Sequence, residues 1–366
     1  MEEKCLICKK NDFVSLIVKV VDYCNFECDF CRYFLEKDTH SSSLELDIFE
    51  ELIDKACNYN FAHGHNHLTV IFHGGEPLLW GYEKFEKAME IEKKIGKKYC
   101  NIEFHNNIQT NGSLISEKWA RFFHHNNFSI GISMDGPDDI NFHRNKLVST
   151  KDVLENIRTL TDYGCKYGIL SVITEQHRNH SKEYYNFFVA NNIHNVGFCY
   201  CFDENGDKTV SNETLTSFLL DFFNMYYNGS FKLHVREFEF VMKLCLGIRV
   251  EGCTFSYRQN CGNYFSIRPN GDICFCDSYD LSEKALGNIM NTDFEHVKET
   301  DAYVNILDSI GLHYKDSCSK CEIHSICGGG CARHDLQKGK HAFCETYKVL
   351  YPYICEKVNM IKNRLC

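Results

Sequence analysis

Residues 14–31 read VSLIVKVVDYCNFECDFC, and this stretch decides the fold. Its first half, 14–22, is a β-branched, apolar run of strand length. Its second half sets Cys24, Cys28 and Cys31 in a C-x3-C-x2-C pattern on the loop that follows. Working outward, the strand motif recurs. Strands are expected at 68–73, 102–109, 129–134, 167–174 and 196–202, with stretches of helical period between them at 44–60, 82–96, 115–126, 151–164 and 180–192. Such alternation makes consecutive strands parallel with right-handed crossovers.

Six βα units imply an α/β fold, a partial (βα)6 TIM-like barrel. Barrels of this kind keep their chemistry at the C-terminal ends of the strands. The unusual residues fall there: Cys24 after the first strand, Gly74-Gly75-Glu76-Pro77 after the second, Gln109-Thr110-Asn111-Gly112 after the third and Asp135-Gly136-Pro137 after the fourth. Two more helices are expected near 213–228 and 234–246. From Cys253 to Cys344 the chain is poor in periodic runs and dense in Cys and Gly, as in a domain where ligand bonds replace a hydrophobic core. The stretch 345–364 reads as helix apart from Pro352. The expected division is a barrel at 12–240 and a Cys-rich domain with a C-terminal helix at 241–366.

Twenty-two cysteines in 366 residues call for either disulfides or thiolate metal ligands. The N-terminal MEEKCLICKKNDF has no apolar core of signal-peptide length, which favours metals and a cytoplasmic location. No apolar run approaches roughly 18 residues, so no membrane span is expected. A net charge of -10 disfavours a nucleic-acid partner, because phosphate backbones are bound through cations.

Three thiolates on one short loop can hold three irons of a cubane and leave the fourth open for chemistry; zinc is the competing metal for such a triad. With Gly74-Gly75-Glu76-Pro77 after the next strand, the triad resembles the radical S-adenosylmethionine (SAM) superfamily. That resemblance implies a SAM-binding 4Fe-4S cluster on Cys24, Cys28 and Cys31, with Phe30 near the adenine and Gly74, Gly75, Glu76 and Pro77 at the SAM amino group. It also implies Ser133 and Asp135 at the ribose and carboxylate, and Gln109 in the pocket. Ser133 and Asp135 read equally well as turn-formers before Pro137, and Arg144 as a carboxylate partner or a surface salt bridge.

Further along, Cys261-x9-Gly271-x4-Cys276, Cys318-x2-Cys321-x5-Cys327-x3-Cys331 and then Cys344 resemble the SPASM domain. By that resemblance Cys253, Cys261, Cys276 and Cys331 hold one auxiliary 4Fe-4S cluster, and Cys318, Cys321, Cys327 and Cys344 a second, making three clusters in all. Cys245 and Cys274 compete with Cys253 for the upstream position. A zinc ribbon on Cys318, Cys321, Cys327 and Cys331 is the alternative. Cys5 and Cys8 form a C-x2-C pair, read as zinc ligands or as surplus thiols.

In length and motif order the chain resembles anaerobic sulfatase maturases, where an aspartate placed like Asp277 is a base; the same residue also reads as support for a cluster loop. His73, before GGEP, is closer to enzymes that crosslink ribosomally made peptides. The resemblance therefore implies an oxidoreductase acting on a precursor peptide or protein and fed by a reductant such as flavodoxin or ferredoxin. The leading expectation is a carbon-carbon or thioether crosslink, and the alternative is conversion of a sulfatase Cys or Ser to formylglycine. The short stretch before Cys24 is expected to hold no separate peptide-recognition domain.

Overall fold

The computed structural model describes residues 12–31, 42–141, 144, 148–203, 207–248, 250, 261–279, 284–334 and 340–365. The Cys5–Cys8 pair, Cys253 and Cys366 lie outside the described residues.

All six expected strands form within about two residues of their expected ends: β1 (Ser15–Val21), β2 (His67–Gly74), β3 (Glu103–Thr110), β4 (Ser129–Ser133), β5 (Lys166–Ile173) and β6 (Asn195–Tyr200). Between them run α1 (Leu46–Ala62), α2 (Tyr82–Lys98), α3 (Glu117–His125), α4 (Thr150–Asp162) and α5 (Ser181–Ala190), followed by α6 (Asn212–Asn228), a two-residue β7 (His234–Val235) and α7 (Arg236–Cys245). The Cys-rich part holds more regular structure than its composition suggested: β8 (Tyr264–Ile267), β9 (Asp272–Cys274), β10 (Gly287–Asn288), α8 (Phe294–Glu299) and α9 (Asp301–Cys318) precede α10 (Cys344–Leu365), which keeps Pro352 in its interior.

The chain forms two compact units that interleave in sequence. One comprises Met1–Gly131, Glu155–Lys166 and Gly262–Leu307; the other comprises Ile132–Leu154, Tyr167–Cys261 and Asp308–Cys366. This cuts the chain differently from the expected division at 240/241. The reason is β8, which pairs in parallel with β1 from Ser15↔Tyr264 to Val18↔Ile267 and so returns residues 262–307 to the first strand.

Within the first unit the strand order is β10-β9-β8-β1-β2-β3, parallel from β8 to β3 and antiparallel in the β8-β9-β10 meander. Leu16, Val18 and Val20 of β1 and Leu68, Val70 and Phe72 of β2 are fully buried on one face, the period-2 pattern of a covered strand. An aromatic cluster of Phe49, Phe72, Trp80, Phe85, Trp119 and Phe128 fills the space above them. The opposite face of β1, β2 and β3 carries Ile17, Lys19, Ile71, His73, Asn107 and Gln109, most of them only half-buried. Apolar residues cover one side of this sheet, and on the other Lys19, His73, Asn107 and Gln109 stand beside Ile17 and Ile71.

In the second unit β5, β6 and β7 pair in parallel. Tyr184, Phe198, Phe218 and Phe222 pack edge to face at its centre. Here α10 is fastened to α6: Asn212 Oδ1 accepts from Thr346 N at 3.1 Å and from Thr346 Oγ1 at 2.8 Å. A disulfide joins Cys245, at the end of α7, to Cys355 in α10. Among the described residues no helix is long and apolar enough to cross a membrane.

Candidate active site

The end of β2 is built to lie against the chain entering the cysteine loop. Gly75 N donates to Val21 O at 2.9 Å and Glu76 N to Tyr23 O at 3.0 Å. A Cβ on Gly74 would collide with the Val21 carbonyl oxygen and one on Gly75 with that of Tyr23; Gly74 also holds φ +125°, which side chains avoid. Both glycines are therefore required by backbone approach. Just beyond, Cys31 N donates to Cys28 O at 3.0 Å, closing a turn that carries Phe30 half-buried between the second and third cysteines. Phe26 is buried beneath the loop, and its N–H donates to Cys24 Sγ at 3.3 Å. Cys24, Cys28 and Cys31 all stay half-exposed. Burial pushes the Cys24 thiol up to about 11, against the pull of the Phe26 N–H. A cation must replace its proton before this sulfur becomes a ligand.

Glu76 is almost fully buried, and its carboxylate is taken up inside the protein. Oε1 accepts from Leu78 N at 3.0 Å and Thr110 Oγ1 at 2.8 Å; Oε2 accepts from Asn111 N at 2.8 Å. Burial nevertheless pushes its carboxyl up to about 7. The Asn111 side chain extends this network, donating to Asn25 Oδ1 at 2.8 Å inside the cysteine loop, while Asn25 Nδ2 donates to Ser113 Oγ at 2.9 Å. Glu76 thus ties the ends of β2 and β3 together and, through Asn111, holds the loop. Pro77, buried, starts the short turn after it. Gln109 is half-buried on the polar face, and a Cβ on Gly131 would strike its amide oxygen.

Lys19 lies 1% exposed in the middle of an apolar strand. A buried ammonium is costly unless paired. It meets the carboxylate of Asp277, whose side chain is 49% exposed, and approaches His73 Nδ1 at 3.2 Å. Lys19 and His73 stand opposite each other in the β1–β2 register. Asp277 opens the short turn that follows Cys276. Sequence reading placed Asp277 and His73 separately and missed Lys19. The signal was a lone lysine inside SLIVKVV.

In the second unit Asp135 is buried and committed. Its carboxylate meets Arg144 Nε and Nη2 at 2.7 Å each and accepts from Val172 N at 2.7 Å. Arg144 is therefore a buried carboxylate partner, not a surface one. Gly136 holds φ +116°, and a Cβ there would lie 2.6 Å from Tyr184, so the Asp-Gly-Pro turn needs its glycine. Ser133 is half-buried at the end of β4. Cys318, Cys321, Cys327 and Cys344 gather in this unit: the Cys327 thiol is pushed up to about 12, first by burial and then by negative charge on Cys344, Cys318 and Cys321 nearby. Of the other auxiliary set, Cys261 and Cys331 belong to this unit and Cys276 to the first. Cys245 is consumed by its bond to Cys355, and Cys274 is buried.

Among the described residues no three His, Cys, Asp or Glu side chains close around one point as a single-ion site requires. A cubane differs, since each of its ligands meets a different iron. The half-exposed, all-thiol set of the Cys24 loop fits such a group.

Residues 18–188 match the model of the Radical SAM superfamily, and residues 260–322 match that of SPASM, an iron-sulfur cluster-binding domain. The chain is 27% identical to the Cysteine-type anaerobic sulfatase-maturating enzyme of Clostridium perfringens (strain 13 / Type A), over 96% of this chain and 99% of that protein. It is 24% identical to the Serine-type anaerobic sulfatase-maturating enzyme of Bacteroides thetaiotaomicron, over 93% and 89%. A solved structure of native anSMEcpe with bound AdoMet and Cp18Cys peptide superposes with a TM-score of 0.84 at 26% identity, covering 96% of this chain and 99% of that one.

Proposed function

Given that the chain belongs to the radical SAM superfamily and carries a SPASM domain, we propose that it oxidises a Cys or Ser side chain of a protein or peptide to formylglycine, as a sulfatase maturase does. The observation that carries this reading is the position of Asp277. It is half-exposed, directly follows Cys276, a proposed auxiliary-cluster ligand, and is held by Lys19 in the unit that bears the Cys24, Cys28 and Cys31 loop.

A 4Fe-4S cluster on those three cysteines would supply the electron that cleaves SAM to methionine and a 5'-deoxyadenosyl radical, which takes a hydrogen atom from the substrate Cβ. Phe30, Gly74, Gly75, Glu76 and Pro77 are the residues proposed to seat SAM beside the loop, with Gln109 as a further contact; Asp135, whose oxygens are taken by Arg144 and Val172 N, is not among them. Asp277 then accepts the proton of the substrate thiol or hydroxyl. Auxiliary clusters, for which Cys253, Cys261, Cys276 and Cys331 and then Cys318, Cys321, Cys327 and Cys344 are the proposed ligands, would supply the acceptor for the one electron released. Hydrogen atom, proton and electron add up to a two-electron oxidation. A serine gives the aldehyde outright; a cysteine gives a thioaldehyde that water hydrolyses with release of hydrogen sulfide. The reductant is proposed to be a flavodoxin or ferredoxin.

Full-length similarity to maturases moves this reading ahead of peptide crosslinking, which rested on His73. In the structure the His73 ring serves the strand end: Nδ1 accepts from Gly74 N at 2.8 Å and faces Lys19. The two readings part on product chemistry. Anaerobically reconstituted protein, SAM, dithionite and the Cp18Cys peptide should give a product that couples to a hydrazide, as an aldehyde must. A peptide that loses two hydrogen atoms yet carries no aldehyde would return the assignment to crosslinking.

A further inference from the structure

We propose that Lys19 is a positioning residue for Asp277, and that His73 in turn fixes Lys19. The inference rests on the role assigned to Asp277 above. Three observations support it. Lys19 sits on β1, a strand hydrogen-bonded on both sides, and a backbone paired in this way opens less readily than an exposed turn. Asp277, by contrast, opens a three-residue turn, and its side chain is half-exposed. The ammonium of Lys19 joins the two. Finally, Gly74 N donates to His73 Nδ1, so that nitrogen carries no proton, and its one lone pair is shared with Lys19 Nζ at 3.2 Å.

The array runs from a paired strand to a three-residue turn: His73 fixes the ammonium, and the ammonium holds one carboxylate oxygen. No bond changes at Lys19 or His73 during turnover. Displacing a reacting group by about 1 Å can lower a rate about 100-fold. That is the loss expected when the ammonium is removed.

The test is a double-mutant cycle on anaerobically reconstituted full-length protein with the Cp18Cys peptide, reading aldehyde formed per 5'-deoxyadenosine and using iron content as the control for folding. Lys19→Met should lower that ratio about 100-fold. In an Asp277→Asn background the same substitution should cost nothing further, because the group it positions is already disabled. His73→Phe, which buries no charge, should lower the ratio about 10-fold in the wild-type background and leave the Asp277→Asn ratio unchanged; it decides the matter if Lys19→Met fails to load iron. Losses that multiply fully with Asp277→Asn would overturn the proposal while leaving the maturase reading intact. An Asp277→Asn protein that makes aldehyde at the wild-type ratio would overturn the role of the aspartate itself, and Lys19 with it.

Discussion

The backbone N–H of Asn111 donates to Glu76 Oε2 at 2.8 Å, joining the end of β3 to the end of β2 beside the cysteine loop. Three donors converge on that carboxylate, and hydrogen bonds to charged groups contribute about 1.5–3 kcal/mol each. Glu76→Gln replaces one acceptor oxygen with an NH2 that faces a donor. The variant is expected to lose about 1–3 kcal/mol in chemical denaturation and to bind SAM more weakly in calorimetry. Unchanged stability would mean that the network is not strained by the exchange.

Glu92 tests burial without touching the site. It lies on α2, with Oε2 accepting from Asn106 Nδ2 at 2.6 Å, while Glu92 Oε1 and Asn106 Oδ1 have no partner among the described residues. Burial pushes its carboxyl up to about 8 from an ordinary 4.5. The folded state therefore holds this proton where the unfolded state has lost it, so stability falls as pH rises from 4.5 to 8 and is level above. Glu92→Gln should gain on the wild type by at most about 1.4 kcal/mol per pH unit across that window. Denaturation midpoints at pH 6, 7 and 8 would show the gap widening; a constant gap would place the proton elsewhere.

Iron content addresses the cluster assignments. Three cubanes require about twelve irons per chain, and the Cys24, Cys28, Cys31 triple alanine variant should lose about four together with all SAM cleavage. Replacing Cys318 and Cys321 by alanine should lose about four others and much soluble yield, since those ligands stand in for a hydrophobic core. Four irons with stoichiometric zinc, measured by plasma emission, would defeat the auxiliary assignment.

The Cys245–Cys355 pair makes a contrasting prediction. Its loop spans 110 residues, and removing a native crosslink typically costs about 2–5 kcal/mol. Cys245→Ser should therefore lower the melting temperature of oxidised protein and leave the iron count unchanged. A fall of about four irons would make Cys245 a cluster ligand.

The barrel units were legible because each strand and helix advertises its own period. The cysteine loop and the GGEP run were legible because chemistry and backbone approach leave few residue choices. What escaped the sequence depends on distant partners. SIRPNGDIC forms a hairpin whose first strand is specified by β1, a segment far away in the chain. Lys19 looked like an interruption of a strand until Asp277 and His73 stood beside it. Asp135 showed no preference between ligand and turn, because its partner Arg144 is recognisable only in space.

The return of β8 to β1 also sets an order in time. During synthesis β1 leaves the ribosome with β2 following soon after, but the strand for its other edge arrives about 250 residues later. At roughly 5–20 residues per second this is a wait of about 10–50 s. Throughout it the apolar segment 15–21 presents a bare row of N–H and C=O groups, the kind of edge on which nascent chains stick to one another. A chain cut before residue 264 would never cover that edge. Shielding of this one seven-residue strand on the nascent chain is therefore expected to raise soluble yield in a heterologous host.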